Sequence, residues 1–236
     1  MILSAHQLHY FPWLRYFHKI YHSDIFVVMD DIQFNKNGWQ NRNKIKTAQG
    51  WSYLTVPVYN KFQQNINEVK IDNSQNWRKK HWNSLCFNYS KAPYFKEYKS
   101  FFENIYQKDW ENLNDINYEM FFFYLECLGL KQKIVKSSEL SVPGIESLRL
   151  VNICKELGAD TYLSGAYALE VYLDEKVFND AGIKVSLQDW HCPEYKQQYM
   201  KAGFVPDLAI ADLLFNYGPK SLEIILKNDP TLKTIH

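Results

Sequence analysis

Two apolar runs, Met1–Ala5 (MILSA) and Ile25–Met29 (IFVVM), bracket a helical stretch within the first 30 or so residues, and this spacing constrains the fold most. A short, continuously apolar run suits a strand covered on both faces. Strand, helix and strand in so short a span form a βαβ unit, which implies parallel strands and a right-handed crossover. The stretch between them, PWLRYFHKIYHS, opens at Pro12 and sets Trp13, Leu14, Phe17, Ile20 and Tyr21 on one helical face.

Downstream, Asp30 to Gly50 is a polar stretch rich in Asn, long for a connection and read as a functional loop. Trp51–Val58 and Asn67–Ile71 read as strands. Gln75 to Asp109 reads as two amphipathic helices divided at Ala92-Pro93, and Leu113 to Leu128 as a third, ended by Gly129. The α/β rhythm then returns. Strands are expected at Lys133–Lys136, Thr161–Leu163 and Ile183–Leu187, with a helix over Ile145–Leu157 stopped by Gly158. A loop from Gln188 to Pro206 leads to a helix capped by Asp207 and ending near Phe215, and Gly218-Pro219 starts the last one. The expected fold is α/β: a parallel-sheet core of βαβ units in one domain over 1–236, with a central helical insertion at about 75–128.

Composition narrows the function. A net charge of +1, from 27 basic and 26 acidic side chains, gives no chain-wide reason to bind nucleic acid, because such affinity rests on neutralising many phosphates. Cys86, Cys127, Cys154 and Cys192 form no CxxC pair, so neither a zinc framework nor a disulfide scaffold is expected. The first residues lack the basic start and long apolar stretch of a signal peptide, and no segment reaches membrane-spanning length, so the expected location is the cytoplasm. Aromatics are abundant (17 Tyr, 15 Phe, 7 Trp), a composition that serves cores and also surfaces on which sugars or bases stack.

Polar residues gather at predicted strand ends. His6, Gln7, His9, Tyr10 and Trp13 lie where the first strand passes to its helix; ligands in open α/β sheets bind beyond the carboxyl ends of strands, and a helix start favours anions. The alternative is that His6 and His9 satisfy backbone groups around a tight turn. Asp30, Asp31 and Gln33 follow the second strand, where a carboxylate can polarise a histidine, bind hydroxyls or cap a turn. Strand alternation lets only one of the two acids face a site there. Asn41, Arg42, Asn43 and Lys44 suit a phosphate, carboxylate or sugar, or else a solvated loop. His81 on its helix, Ser164 before Gly165, and Asn216, four residues after Asp212, complete the candidates. No GxSxG, Walker A, HExxH or GxGxxG pattern occurs.

The ordered set HQ-x-x-Y-F-P-W, DD-x-Q-F, NRN-K, KAPYF (Lys91–Phe95), SSEL (Ser137–Leu140), LGADTYLSG (Leu157–Gly165) and DLLFN-x-GP (Asp212–Pro219) resembles the WbqC-like family over almost the whole chain. Leu8 stands where that family usually has Pro, and Arg15 where it often has Gly. The resemblance implies work on nucleotide- or lipid-linked sugars in O-antigen and related surface-glycan biosynthesis. By position it marks His6, Gln7, Asp31, Asn41, Arg42, Asn43 and His81 as site residues.

The leading expectation is a transferase passing an acyl or aminoacyl (for instance glycyl) group to the amine of a dTDP- or UDP-linked amino sugar. His6, oriented by Asp30 or Asp31, is the candidate base; Gln7 or Asn41 the oxyanion donor; Arg42 and Lys44 the diphosphate holders; and Trp13, Trp39 or Tyr10 the stacking rings. The partners are then that sugar and a small acyl or amino-acid donor. No cofactor is firmly implied and no metal ligand set is expected. An adenylate-forming transferase would add ATP and magnesium. A non-catalytic carbohydrate-binding or assembly protein, and a hydrolase using Asp30 or Asp31 with Asp212, are the contrasting readings.

Overall fold

The computed structural model describes residues 1–59, 61, 63–165, 173–227 and 229, and the backbone of 233–235. Strands β1 (Ile2–His6), β2 (Ile25–Val28), β7 (Lys133–Lys136), β8 (Thr161–Gly165) and β9 (Lys184–Gln188) run parallel in the order β9-β8-β1-β2-β7. An antiparallel strand, β10 (Lys233–Ile235), closes the β9 edge and was not foreseen from the sequence. The chain therefore has the expected α/β fold with a parallel core. All four residues of β2 are buried, which is why that run is continuously apolar.

Helices cover both faces. α1 (Leu14–Tyr21), α2 (Trp77–Tyr89), α3 (Phe95–Gln107) and α4 (Leu113–Leu128) pack on one face over an aromatic core that includes Phe17, Phe26, Phe102, Phe121 and Phe215. Leu8 is fully buried in this core. α5 (Glu146–Glu156) and α6 (Glu175–Asp180) cover the other face over Leu3, Ala5, Val27, Met29, Val151 and Phe178. α7 (Ile210–Tyr217) and α8 (Ser221–Ile225) return to the aromatic side. α4 ends at Gly129, whose φ of 66° is the left-handed cap the sequence called for.

Several boundaries differ from expectation. The polar stretch is not all loop: β3 (Arg42–Thr47) pairs with β4 (Gly50–Thr55) in an antiparallel hairpin. Its alternation is carried by cations rather than apolar residues, so polarity concealed the strand. The run Trp51–Val58 divides before Pro57, whose missing N–H cannot continue a ladder; Val58–Tyr59 (β5) then pairs with Lys70–Ile71 (β6). Ile66–Glu68 is a 3-10 turn rather than strand. Asp207 caps nothing, because α7 starts after Ala209, and Pro12 precedes the N-cap position, which Trp13 holds.

Candidate functional site

α1 returns β1 to β2 on the aromatic face, whereas α6 follows β8 on the other face. Neighbouring strands β1 and β8 thus send their connections to opposite sides, the arrangement that opens a crevice at the carboxyl edge of a parallel sheet. A cavity of about 600 Å³ lies at this edge, lined by His6 at the end of β1 and Gln7 just after it, Gln33 beyond β2, Tyr162 of β8, and Glu146 and Arg149 at the start of α5.

His6 leaves β1 toward Tyr16, ring to ring at 5.0 Å. Its Nδ1 lies 3.1 Å from the Gln7 carbonyl, an acceptor only, so Nδ1 carries the proton and Nε2 is left with its lone pair. The residue as a whole is half-buried, and burial, reinforced by the Lys19 ammonium, lowers its pKa to about 3. His9 packs edge-on to His6 at 4.6 Å and is wholly buried. Neither of its nitrogens has a partner among the described residues, and burial, with His6 and Lys19 alongside, pulls its pKa well below the histidine range. Lys19 is itself brought down to about 8, by burial and then by Arg15. The two histidines are therefore held neutral beside Lys19, which keeps its positive charge at neutral pH. Gln7 is oriented by Gln40, whose amide donates to it at 2.7 Å.

The two acids turn away from His6. Asp30 is buried and accepts from the Ser138 backbone N–H at 2.9 Å, the Ser138 hydroxyl at 2.8 Å and the Tyr118 hydroxyl at 3.0 Å. Asp31 accepts from Ser137 Oγ and from Arg149, each at 2.5 Å; burial pushes its pKa up, but these bonds outweigh that and hold it below the usual range. No hydrogen bond joins either acid to His6 among the described residues, so the orienting partner of His6 is the Gln7 carbonyl instead. The cause is the Ser137-Ser138 turn after β7, which brings donors to both carboxylates.

The remaining candidates separate into three groups. Tyr10 and His81 belong to a buried chain: Thr55 O accepts from His81 Nε2 at 3.1 Å, His81 Nδ1 therefore accepts from Tyr10 at 2.8 Å, and Tyr10 accepts from Tyr106 at 2.6 Å. Burial lowers His81 to about 4. Asn41 and Asn43 are buried and bind the carbonyls of Val56 (2.8 Å) and Phe11 (2.5 Å). Ser164 donates to the Gly165 carbonyl, and Asn216 bridges the Asp212 carbonyl and Gln198 away from the cavity.

Arg42 and Lys44 form a different surface. Arg42 stacks on Tyr53 at 4.6 Å, and Lys44 lies over Trp39 and Trp51 at 5.8 and 5.3 Å. Trp39 meets Trp13 edge-on at 4.8 Å, and Trp13 meets His9 at 5.0 Å, so this platform reaches the histidine pair through rings. Neither cation has a carboxylate partner among the described residues. Arg15 lies over the Trp190 ring at 5.7 Å.

Sequence reasoning missed Glu146, Arg149, Lys19 and Tyr162. A signal existed for the first two, since a helix following a parallel strand starts at the carboxyl edge of the sheet.

A model of the WbqC-like protein family matches residues 7–224. The chain belongs to the WbqC-like family. It is 38% identical over 219 residues to the uncharacterized protein Rv1507c of Mycobacterium tuberculosis (strain ATCC 25618 / H37Rv), covering 91% of this chain and 93% of that one. No solved structure gives a significant match. Among the described residues, no helix is long and apolar enough to cross a membrane.

Proposed function

We propose that this family member is a transferase of surface-glycan biosynthesis that joins an acyl or aminoacyl group to the amine of a nucleotide-linked amino sugar in the cavity beside His6. The observation that carries the reading is the imidazole itself: it lines the cavity at the switch point of a parallel sheet, with Nδ1 held by the Gln7 carbonyl so that Nε2 is left with its lone pair. Amide formation needs an acceptor for the proton that the amine loses as its lone pair bonds to the acyl carbon. The acyl carbon's former leaving group departs with its electron pair. A pKa of about 3 makes His6 a weak base in the free protein. A diphosphate bound nearby would raise it toward the useful range, since an adjacent negative charge favours imidazolium. Gln7 and Gln33 supply amide donors for a carbonyl oxygen or sugar hydroxyls.

His6→Asn tests the reading. Turnover is expected to fall by about 10²- to 10⁴-fold, with the KM for the amino sugar changed by less than about threefold. Unchanged turnover would overturn it. The hairpin platform supports a second reading, a non-catalytic carbohydrate-binding protein, because Trp51 and Tyr53 are 46% and 38% exposed beside two cations. Under that reading His6→Asn is silent and Trp51→Ala abolishes binding. A thermal shift with ATP and magnesium, but with no sugar nucleotide, would favour the adenylate-forming alternative.

A further inference from the structure

We propose that His18, His22 and Asp229 form a site for one divalent transition ion of the zinc class, tying the segment after α8 to the last turn of α1. The two histidines are four residues apart, so they share one face of the helix, and their ring centroids lie 4.5 Å apart. Each Nε2 meets a different oxygen of the same carboxylate, both at 2.7 Å. One ligand atom from each residue can be chosen so that all lie within 4.8 Å of one another.

The donor set selects the ion. Two imidazoles and a carboxylate suit zinc and its neighbours, whereas magnesium and calcium prefer oxygen throughout. At bond lengths of about 2.0–2.1 Å, tetrahedral ligand atoms stand about 3.3 Å apart, so the carboxylate withdraws by roughly half an ångström from its present hydrogen-bonding position. Three protein ligands leave a fourth position for water.

The surroundings of His18 bear on the same point. Its Nδ1 lies 2.8 Å from the Gln188 Nε2, which also donates to the Arg15 carbonyl at 2.9 Å. In this arrangement His18 keeps its proton on Nε2 and donates it to Asp229. The Gln188 Oε1 is meanwhile buried without a partner. When an ion takes Nε2, the proton moves to Nδ1 and the amide turns over so that Oε1 accepts it, the orientation that metal-bound imidazoles use. That turn gives up the bond to Arg15.

The cluster lies beside Gln188, the last residue of β9, and shares no residue with the lining of the cavity at His6, so it does not rest on the catalytic reading. Its consequence is stability: an ion that binds only the folded chain raises the melting temperature by mass action. The test is calorimetric titration of chelator-treated full-length protein with zinc chloride, alongside His22→Asn and Asp229→Asn variants checked for unchanged circular dichroism. One zinc per chain is expected, with a raised melting temperature and affinity reduced at least about tenfold in each variant. Cobalt(II) should give the visible absorption of a four-coordinate centre. Absence of stoichiometric binding, or binding unchanged in both variants, would overturn the proposal.

Discussion

His6 ends β1 in register with Val28 at the end of β2, and Asp30 lies two residues beyond Val28, yet their side chains do different work. Asp30 is a buried carboxylate side chain that accepts from the Ser137 and Ser138 hydroxyls, the Ser138 N–H and the Tyr118 hydroxyl. Hydrogen bonds to a charged group are worth about 1.5–3 kcal/mol each, and removing the acceptor strands its donors. Asp30→Ala is therefore expected to lower unfolding free energy by roughly 2–4 kcal/mol in urea titration. A change below about 0.5 kcal/mol would show that these bonds contribute little. His6 and Gln7 were legible as residues at the carboxyl edge of the sheet, where they line the cavity, because a strand's end is legible. The direction of Asp30 and Asp31 was not, because it is decided by Ser137 and Ser138, more than a hundred residues away in the chain. The same limit hid Tyr10–His81: a histidine on a polar helix looked like a wet or ligand-facing residue, and its partners are brought in by α3 and β4.

At the level of elements, the buried parallel strands and the helices α2 to α5 were readable from apolar runs, periodicity and stop signals such as Gly129 and Gly158. β3 was not. Arg42, Lys44 and Lys46 occupy one face of that strand, where alternation rules lead one to expect apolar side chains. Two of them find rings instead, and Lys46 is completely buried, donating to the Gly203 carbonyl near Asp212. α5 was placed correctly, but a single sequence does not say that β7 lies beside β2. Its first turn, carrying Glu146 and Arg149, could therefore not be assigned to the cavity beforehand.

The whole molecule joins an aromatic-rich core on one face of the sheet to a smaller aliphatic one on the other, and we propose that the chain unfolds as one unit. Its acid response follows from the histidines. Folded His6 and His81 are held at about 3 and 4, and His9 is lowered as well, mainly by burial, whereas unfolded histidine binds its proton near 6.5. Below pH 6.5 the unfolded chain therefore holds more protons and gains on the native state, by about 1.4 kcal/mol per pH unit for each group. Asp212 acts oppositely: burial pushes it up to about 6, against the bonds from Tyr89 and Tyr195, so it favours the fold as pH drops from 6 toward 4. Three groups against one predict a urea midpoint that falls steeply from pH 6.5 to 4.5, and a flat midpoint would contradict the burial of the histidine cluster.

The central claim is that chemistry takes place at the carboxyl edge of β1, beside His6, and a crystal structure of the protein soaked with a dTDP- or UDP-linked amino sugar tests it most directly. The account predicts the sugar in the cavity between β1 and α5, with its amine about 2.6–3.2 Å from His6 Nε2, directly or through one water. A sugar seated instead on the Trp51–Tyr53 hairpin, with the cavity holding only solvent, would contradict it.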